Sequence, residues 1–180
     1  RLHVDLAVVG GGSGGLAGAF RAANHGARVA LIEPGELGGT CVNVGCVPKK
    51  AMWLAADLGA RIGLAPALGF PLQPACPDWA QLIASRQRYI ANIHASYRRR
   101  LDESGIVLLP ARGRLAGNGM VDCDDGTRIE AKHVLVATGG RPVRPTIPGA
   151  DLGIDSDGFF GLGSAPRRVA IVGGGYIGVE

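Results

Sequence analysis

Through the first half of the chain, short apolar runs alternate with stretches that contain both polar and apolar residues. Residues 4–9 and 29–32 are mainly apolar and predict two short buried strands. Residues 16–25, between them, are rich in alanine and predict a helix that ends at Gly26. A strand, a helix and a second strand in this order predict an α/β domain with a parallel sheet.

The middle of the chain is mainly helical. Residues 51–62 and 78–102 predict two helices, and Asp78 is the expected N-cap of the second. Residues 63–77 are rich in proline and glycine and predict a loop between them.

Strand-like segments then return. Residues 106–109 predict a strand, and residues 111–131 predict short antiparallel strands with turns at 117–119 and 124–126. The apolar run 134–137 ends in a glycine turn, and we expect it to rejoin the parallel sheet. A last apolar run, residues 169–172, predicts the first strand of another unit.

The first two strands enclose a glycine pattern typical of dinucleotide binding. Gly10, Gly12 and Gly15 form G-x-G-x-x-G between strand and helix, and Glu33 follows the second strand. The glycines allow a tight turn and bring a pyrophosphate close to the helix N-terminus, where free N–H groups favour anions. A carboxylate at Glu33 is expected to accept hydrogen bonds from a ribose.

A second G-x-G-x-x-G follows residues 169–172, at Gly173, Gly175 and Gly178. Two such turns predict two nucleotides and electron transfer between them. The fold expected is a Rossmann-like nucleotide-binding domain with a parallel sheet and a small antiparallel β-meander, plus the first strand and turn of a second Rossmann-like domain. The resemblance given below implies an FAD-binding domain at 1–150, a connector at 151–165 and the start of a truncated NAD(P)-binding domain at 166–180.

Cys41 and Cys46, separated by four residues, are candidates for a redox-active disulfide. Five positions along an ideal helix separate Cα atoms by roughly 8.7 Å, whereas a disulfide needs less than about 7 Å. A bridge therefore requires a distorted turn, for which Gly45 and Pro48 supply the residues. The alternative is two buried cysteines that act as small hydrophobic residues. A zinc site is not expected, because no second pair of ligands has the right spacing.

Lys49 comes three residues after Cys46 and lies on the same face if the turn is helical. A cation there would favour a thiolate. Lys50 is expected on the surface, Cys76 has no obvious partner, and Cys123 is expected to be inert.

Composition excludes other classes of protein. The chain has 180 residues and a net charge of +4, but its densest basic run, residues 98–100, is expected at a helix end rather than on nucleic acid. No run of residues predicts a membrane span, and no signal peptide is visible, which favours a cytoplasmic location. The chain starts without Met and ends within a motif, so we expect part of a longer protein.

The motifs GGGSGG with Glu33, GGTCVNVGCVPKKAMW, ATGGRP, IPGADLGIDSDGFF and VGGGYIGVE together resemble the flavoprotein disulfide reductases, and within them the glutathione reductases. The resemblance covers essentially the whole chain. It implies a homodimer with FAD, NADPH-binding and dimerisation domains. It also implies that NADPH reduces FAD, FAD reduces the disulfide, and the dithiol reduces glutathione disulfide.

The resemblance implies roles for individual residues. Cys46 resembles the thiol nearer the flavin, and Cys41 resembles the thiol that attacks substrate. Lys49 resembles the lysine near the reactive flavin nitrogen, Glu180 its ion-pair partner, and Tyr176 the tyrosine that covers the nicotinamide pocket. The expected substrate contacts are Ser13 and Tyr97. The expected cofactor contacts are Gly10, Gly12, Ser13, Gly14, Gly15, Glu33, Thr40, Cys41, Cys46, Lys49, Gly113, Ala137, Thr138, Gly139, Gly173, Gly175, Tyr176 and Gly178.

Three positions bear on the substrate. Dihydrolipoamide dehydrogenases and mercuric reductases usually have serine in place of Lys49, and trypanothione reductases have glutamate in place of Ala17. Phe20 departs from the pattern, since some glutathione reductases have an arginine there that meets a substrate carboxylate. The alternatives are a sister disulfide reductase of the trypanothione, mercuric or dihydrolipoamide type, and a non-catalytic flavin-binding module that senses redox state.

The family's acid–base histidine comes from the C-terminal domain of the partner subunit. The four histidines here, His3, His25, His94 and His133, lie outside the motifs. We therefore expect these 180 residues to be inactive as a reductase on their own.

Overall fold

A computed structural model describes residues 1–73 and 76–180. The chain divides into two compact units: Arg1–Asn43 with Ala91–Arg141, and Val44–Ile90 with Pro142–Glu180. The proposed boundaries at residues 150 and 165 remain predictions.

The first unit contains a six-stranded sheet in the order β3-β2-β1-β6-β5-β4. The pairs β1–β2, β1–β6 and β2–β3 are parallel, whereas β4–β5 and β5–β6 are antiparallel. The predicted α/β class, with a parallel sheet and an antiparallel meander, is confirmed. The strands are β1 (Leu2–Val9), β2 (Val29–Ile32), β3 (Val107–Leu109), β4 (Gly113–Gly117), β5 (Met120–Cys123) and β6 (Arg128–Val136).

The α-helices fall close to the amphipathic and alanine-rich stretches. Two turns of 3₁₀ helix, Ala65–Leu68 and Ala150–Leu152, add to them. No helix within 1–73 and 76–180 is long and apolar enough to cross a membrane. The α-helices are α1 (Ser13–Asn24), α2 (Gly39–Val44), α3 (Cys46–Leu64), α4 (Trp79–Glu103), α5 (Ser156–Phe160) and α6 (Tyr176–Val179).

Consecutive residues of the parallel strands point to opposite faces of the sheet. Val9 and Ile32 join one buried cluster, while Val8 and Leu31 join the other. The second cluster includes Leu16, from α1, and so fixes the helix that follows the first glycine turn. Both faces of β1 and β2 are therefore covered, as expected for parallel strands with continuous apolar runs.

β6 differs from the prediction of separate strands within 111–131 and at 134–137. It is one continuous strand, whose first residues, 128–130, pair with β5, while β1 pairs with it from Ile129 to Val136. Its first half alternates buried Ile129 and Ala131 with more exposed residues, and no glycine or proline interrupts the run into the second half. The first part of β6 lies between β1 and β5, whereas its later, apolar part pairs with β1 alone. The change of pattern therefore marks the loss of β5 as a neighbour and not the end of the strand.

Helix ends follow the predicted signals where a cap is present. Asp78 Oδ1 accepts a hydrogen bond from the Gln81 N–H at 3.0 Å, which confirms Asp78 as the N-cap of α4. Gly26 (φ 82°) and Gly105 (φ 64°) follow α1 and α4 in the left-handed conformation. Part of the predicted loop at 63–77 is instead helical, as the end of α3 and a 3₁₀ turn, and its positions 74 and 75 lie outside the described residues.

The segment of the second unit after residue 141 contains little regular structure. α5 interrupts the predicted connector, and Asp155 caps it by accepting a hydrogen bond from the Gly158 N–H at 3.0 Å. The strand predicted at 169–172 is not formed, although α6 follows the second glycine turn. A strand needs a neighbour for its backbone hydrogen bonds, and no described segment pairs with these residues.

Candidate active site

Two positions where β1 passes into α1, Gly10 and Gly15, have room only for glycine. Gly10 has φ 110°, and a Cβ there would lie 2.2 Å from the carbonyl oxygen of Ala137. A Cβ on Gly15 would lie 1.8 Å from the carbonyl oxygen of Gly10. Both obstacles are backbone atoms that cannot move aside. The close packing of strand and helix leaves the N-terminus of α1 open toward a ligand, as a dinucleotide turn requires.

Glu33 holds this turn in place. Its Oε2 accepts a hydrogen bond from the Gly11 N–H at 2.6 Å, and its Oε1 accepts one from the Gly35 N–H at 2.8 Å. Each carboxylate oxygen can accept a second hydrogen bond. Glu33 can therefore fix the glycine turn and still receive a ribose hydroxyl, which remains the predicted contact.

A cavity of about 220 Å³ opens at this turn. Among the predicted cofactor contacts, Gly10, Glu33, Gly113 and Thr138 lie on its wall. The first turn of α1, which is described throughout, has no acidic residue that would repel a phosphate. The cavity is lined by Val9, Gly10, Ile32, Glu33, Pro34, Arg112, Gly113 and Thr138.

The segment before Cys41 packs directly on the same turn. The Gly38 N–H donates to the Gly11 carbonyl oxygen at 2.8 Å. A Cβ on Gly39 would lie 2.8 Å from the Cα of Gly12, so only glycine permits this approach. α2 starts at Gly39 and carries exposed Thr40 and half-buried Cys41. The fold thus brings the first cysteine to the dinucleotide turn within the first unit.

The break predicted between the two cysteines occurs at Gly45. This residue, with φ −149° and ψ −116°, separates α2 from α3, and exposed Cys46 is the first residue of α3. The sequence suggested that Pro48 would distort the helix, but it does not. It lies in the first turn of α3, where its missing N–H would have no helical partner. The Cys41–Cys46 disulfide itself remains a prediction.

Lys49 and Glu180 meet within the second unit. Lys49 Nζ donates to Glu180 Oε2 at 2.6 Å, and their side chains are 28% and 55% exposed. Lys49 is one turn after Cys46 on α3, so the two share a helix face. A cavity of about 320 Å³ beside the pair is lined by Lys49, Lys50, Trp53, Val179 and Glu180. Lys50 is exposed as predicted, with its ammonium 3.8 Å from the centre of the Trp53 ring.

The second glycine turn has the same backbone as the first. Gly173 has φ 111°, and a Cβ on Gly178 would lie 2.7 Å from the Gly173 carbonyl oxygen. Gly175, with φ −72° and ψ 173°, precedes α6 as Gly12, with φ −79° and ψ −171°, precedes α1. The turn forms even though the strand predicted before it does not.

Comparison with known proteins identifies the family. Residues 4–180 match the family described as pyridine nucleotide-disulphide oxidoreductase. The chain belongs to this family. It is 49% identical to a glutathione reductase of Yarrowia lipolytica and 50% identical to one of Schizosaccharomyces pombe. The matches cover 99% and 98% of this chain but 41% and 40% of the two relatives.

Enzymes of this oxidoreductase family use FAD and NADPH. The residues of the first glycine turn fit an FAD, because Gly10 and Gly15 leave no room for a side chain, Glu33 can accept a ribose hydroxyl, and the start of α1 can receive the pyrophosphate. The second turn repeats the same backbone for a second nucleotide. Ser13, Gly14 and Gly139 are exposed beside these turns, and Tyr176, on α6, is 80% exposed.

The predicted substrate contacts are spread over two elements of the first unit. Ser13 is exposed at the start of α1, and Tyr97, on α4, is half-buried against the second hydrophobic cluster. Phe20, which departs from the arginine expected in some glutathione reductases, is only 5% exposed. The guanidinium of Arg100 lies 4.1 Å from the centre of its ring. Phe20 is therefore a core residue covered by a cation.

His94 is a functional candidate that the motifs missed. Its Nε2 lies 2.8 Å from Oδ1 of Asn43, in the cysteine motif. The signal in the sequence is weak, because a half-buried histidine on an amphipathic helix looks like any packing residue. The link to Asn43 depends on tertiary structure that spacing does not reveal.

Proposed function

We propose that the chain carries the FAD site and the redox-active cysteines of an NADPH-dependent glutathione-disulfide reductase. The observation that carries the proposal is the contact of Lys49 with Glu180. It links the helix that starts with Cys46 to the end of the second nucleotide turn, where electrons would enter. Half of the residues are identical to those of two glutathione reductases, which supports glutathione disulfide as the substrate.

The chemistry proposed is thiol–disulfide exchange. In the reduced enzyme, the Cys41 thiolate attacks one sulfur of glutathione disulfide, the S–S bond breaks, and one glutathione leaves as a thiolate that takes up a proton. The Cys46 thiolate then attacks Cys41 in the mixed disulfide and releases the second glutathione. The Cys41–Cys46 bond reforms, and two electrons have passed to substrate.

An FAD held at the first glycine turn would supply the redox chemistry that carries two electrons from NADPH to the disulfide. Lys49 supplies a positive charge on the face of α3 that carries Cys46, which favours the thiolate form. Glu180 holds the Lys49 ammonium through a charge-assisted hydrogen bond. Cys46 also lies at the N-terminus of α3, where the helix dipole favours negative charge.

The chain spans about two fifths of the curated relatives that it matches, so features of the whole protein belong to this proposal. We propose a homodimer in which the partner subunit supplies the acid–base histidine. We also propose a cytoplasmic location, where a disulfide is more often catalytic than structural.

The test is oxidation of NADPH by the full-length gene product with glutathione disulfide. NADH in place of NADPH, and Hg(II), trypanothione disulfide and lipoamide as acceptors, are measured beside it. We expect turnover with NADPH and glutathione disulfide that Cys41→Ser abolishes. Turnover with another acceptor alone would assign the protein to a sister reductase. Bound flavin without turnover on any acceptor would favour a redox-sensing module.

A further inference from the structure

The turn that carries Cys41 is held by one side chain. The two hydrogens of Asn43 Nδ2 are shared among the carbonyl oxygens of Gly39 at 2.9 Å, Leu37 at 3.3 Å and Glu36 at 3.4 Å. These carbonyls lie at the start of α2 and in the loop before it, so the amide of Asn43 ties both ends of the Cys41 turn together.

The turn needs such an anchor. α2 has only six residues, and a helix of that length is not stable by itself. Gly38 and Gly39 precede Cys41 with φ 98° and 57°, and glycines have many alternative conformations. Beside the amide of Asn43, the buried side chain of Val42 is another anchor on α2.

His94 fixes the orientation of Asn43. Since Asn43 Nδ2 donates to three carbonyls, its Oδ1 is an acceptor, and the hydrogen on His94 Nε2 must point to it, at 2.8 Å. The His94 side chain is only 12% exposed. Its Nδ1 lies 3.4 Å from Oε2 of Glu36, which also accepts a hydrogen bond from Arg98 Nη2 at 2.6 Å. Two residues of α4, His94 and Arg98, therefore hold the turn: His94 contacts Asn43, and both contact Glu36 in the loop before α2.

We propose that His94 is a positioning residue for Cys41: by donating to Asn43, it holds the α2 turn in the geometry that thiol–disulfide exchange requires. The inference rests on the proposed function. His94 acts through Asn43, and α4 carries none of the predicted cofactor contacts. Its loss is expected to impair the exchange with substrate and to spare reduction of the flavin by NADPH.

The experiment compares His94→Gln and His94→Asn in the full-length holoenzyme. The amide nitrogen of Gln can occupy the position of His Nε2 and keep the hydrogen bond to Asn43, whereas that of Asn corresponds to Nδ1 and loses it. His133→Ala, at an exposed position on β6, is the control. The measurements are kcat with glutathione disulfide, the rate of flavin reduction by NADPH, and hydrogen exchange of residues 36–45.

We expect His94→Asn to lower kcat about tenfold and to speed exchange in residues 36–45, with flavin reduction within about twofold of the parent. His94→Gln should recover most of both losses. The inference would be overturned if His94→Asn had the same kcat and the same hydrogen exchange in residues 36–45 as the parent. It would also be overturned if His94→Gln lowered kcat as much as His94→Asn. If the parent itself does not reduce glutathione disulfide, the proposed function fails, and hydrogen exchange alone decides the role of His94.

Discussion

The ammonium of Lys49 lies 2.6 Å from the carboxylate of Glu180, although 131 positions separate the two residues in the chain. Lys49 is on the face of α3 that carries Cys46, and Glu180 follows the helix of the second glycine turn. The contact joins, within one compact unit, the cysteine helix and the nucleotide turn that the sequence presents as separate motifs. Two changes at this pair test its importance.

Lys49→Met should lower turnover with glutathione disulfide at least about tenfold, because the thiolate at Cys46 loses its nearby positive charge. The free energy of unfolding should change by less than about 1 kcal/mol, since partly exposed ion pairs contribute little to stability. Lys49→Arg retains the charge and serves as the control. Steady-state kinetics and urea unfolding of the full-length gene product measure the two effects. If Lys49→Met lowered the free energy of unfolding enough to account for its loss of turnover, a specific role of Lys49 at the Cys46 thiolate would be contradicted.

Glu180→Gln should have a smaller effect on turnover than Lys49→Met, because an amide still accepts a hydrogen bond from the Lys49 ammonium. We expect turnover to fall about threefold, because the hydrogen bond to the Lys49 ammonium is no longer strengthened by the negative charge of the carboxylate. The same kinetic assay measures it. A larger loss than that of Lys49→Met would mean that Glu180 acts on something other than Lys49.

Gly15→Ala should prevent FAD binding or destabilise the fold by about 3 kcal/mol or more, since its Cβ would lie 1.8 Å from the Gly10 carbonyl oxygen. Gly59→Ala, in α3, is the control because a Cβ there meets nothing within 4 Å. It should be neutral or slightly stabilising, as alanine is the better helix former. Flavin absorbance per protein and urea unfolding separate the two changes. Normal flavin content and stability in Gly15→Ala would rule out the observed turn.

Local signals predicted the elements that position the site. The apolar run at 29–32 is β2 to the residue, and Asp78 caps α4, because these features depend on neighbours in sequence. α3 starts at Cys46, five residues before the predicted stretch 51–62, because a helix tolerates a proline such as Pro48 in its first turn.

Features that depend on distant neighbours were not predictable. β6 continues past the expected end because its pairing with β1 decides its length, and residues 169–172 lack a strand because no described neighbour pairs with them. The contact of Lys49 with Glu180 was expected from family resemblance alone, whereas that of His94 with Asn43 was not expected at all. No spacing rule relates residues that meet only through the tertiary fold.

Asp5 should make folding stability depend on acid pH. The Lys132 ammonium, at 2.8 Å, and then the backbone N–H and side chain of Arg28 hold the pKa of Asp5 well below its usual range. A lowered pKa stabilises the fold above the ordinary value of about 3.9, and this contribution is lost as the pH falls below it. Asp5→Asn should therefore lower the urea midpoint at pH 7, and the difference from the parent should shrink toward pH 3.

The control for Asp5 is Asp151→Asn, at an exposed position in a 3₁₀ turn. It should leave the urea midpoint of the full-length gene product unchanged at both pH values. A difference between Asp5→Asn and the parent that is constant with pH would mean that packing, rather than ionisation, stabilises β1 through this side chain.

Cys123 should react far more slowly with iodoacetamide than the motif cysteines. Burial raises the pKa of the Cys123 thiol, and the carboxylates of Asp125, Asp124 and Asp122 raise it further. Because the thiolate is the reactive form, modification of Cys41 and Cys46 together at pH 7.5 should be at least about 100-fold faster than that of Cys123 in the reduced protein. Peptide mass spectrometry measures the rates, with urea-denatured protein as the control. Comparable rates in the folded protein would refute the assignment of Cys123 as inert, whereas Cys123→Ser should leave turnover unchanged.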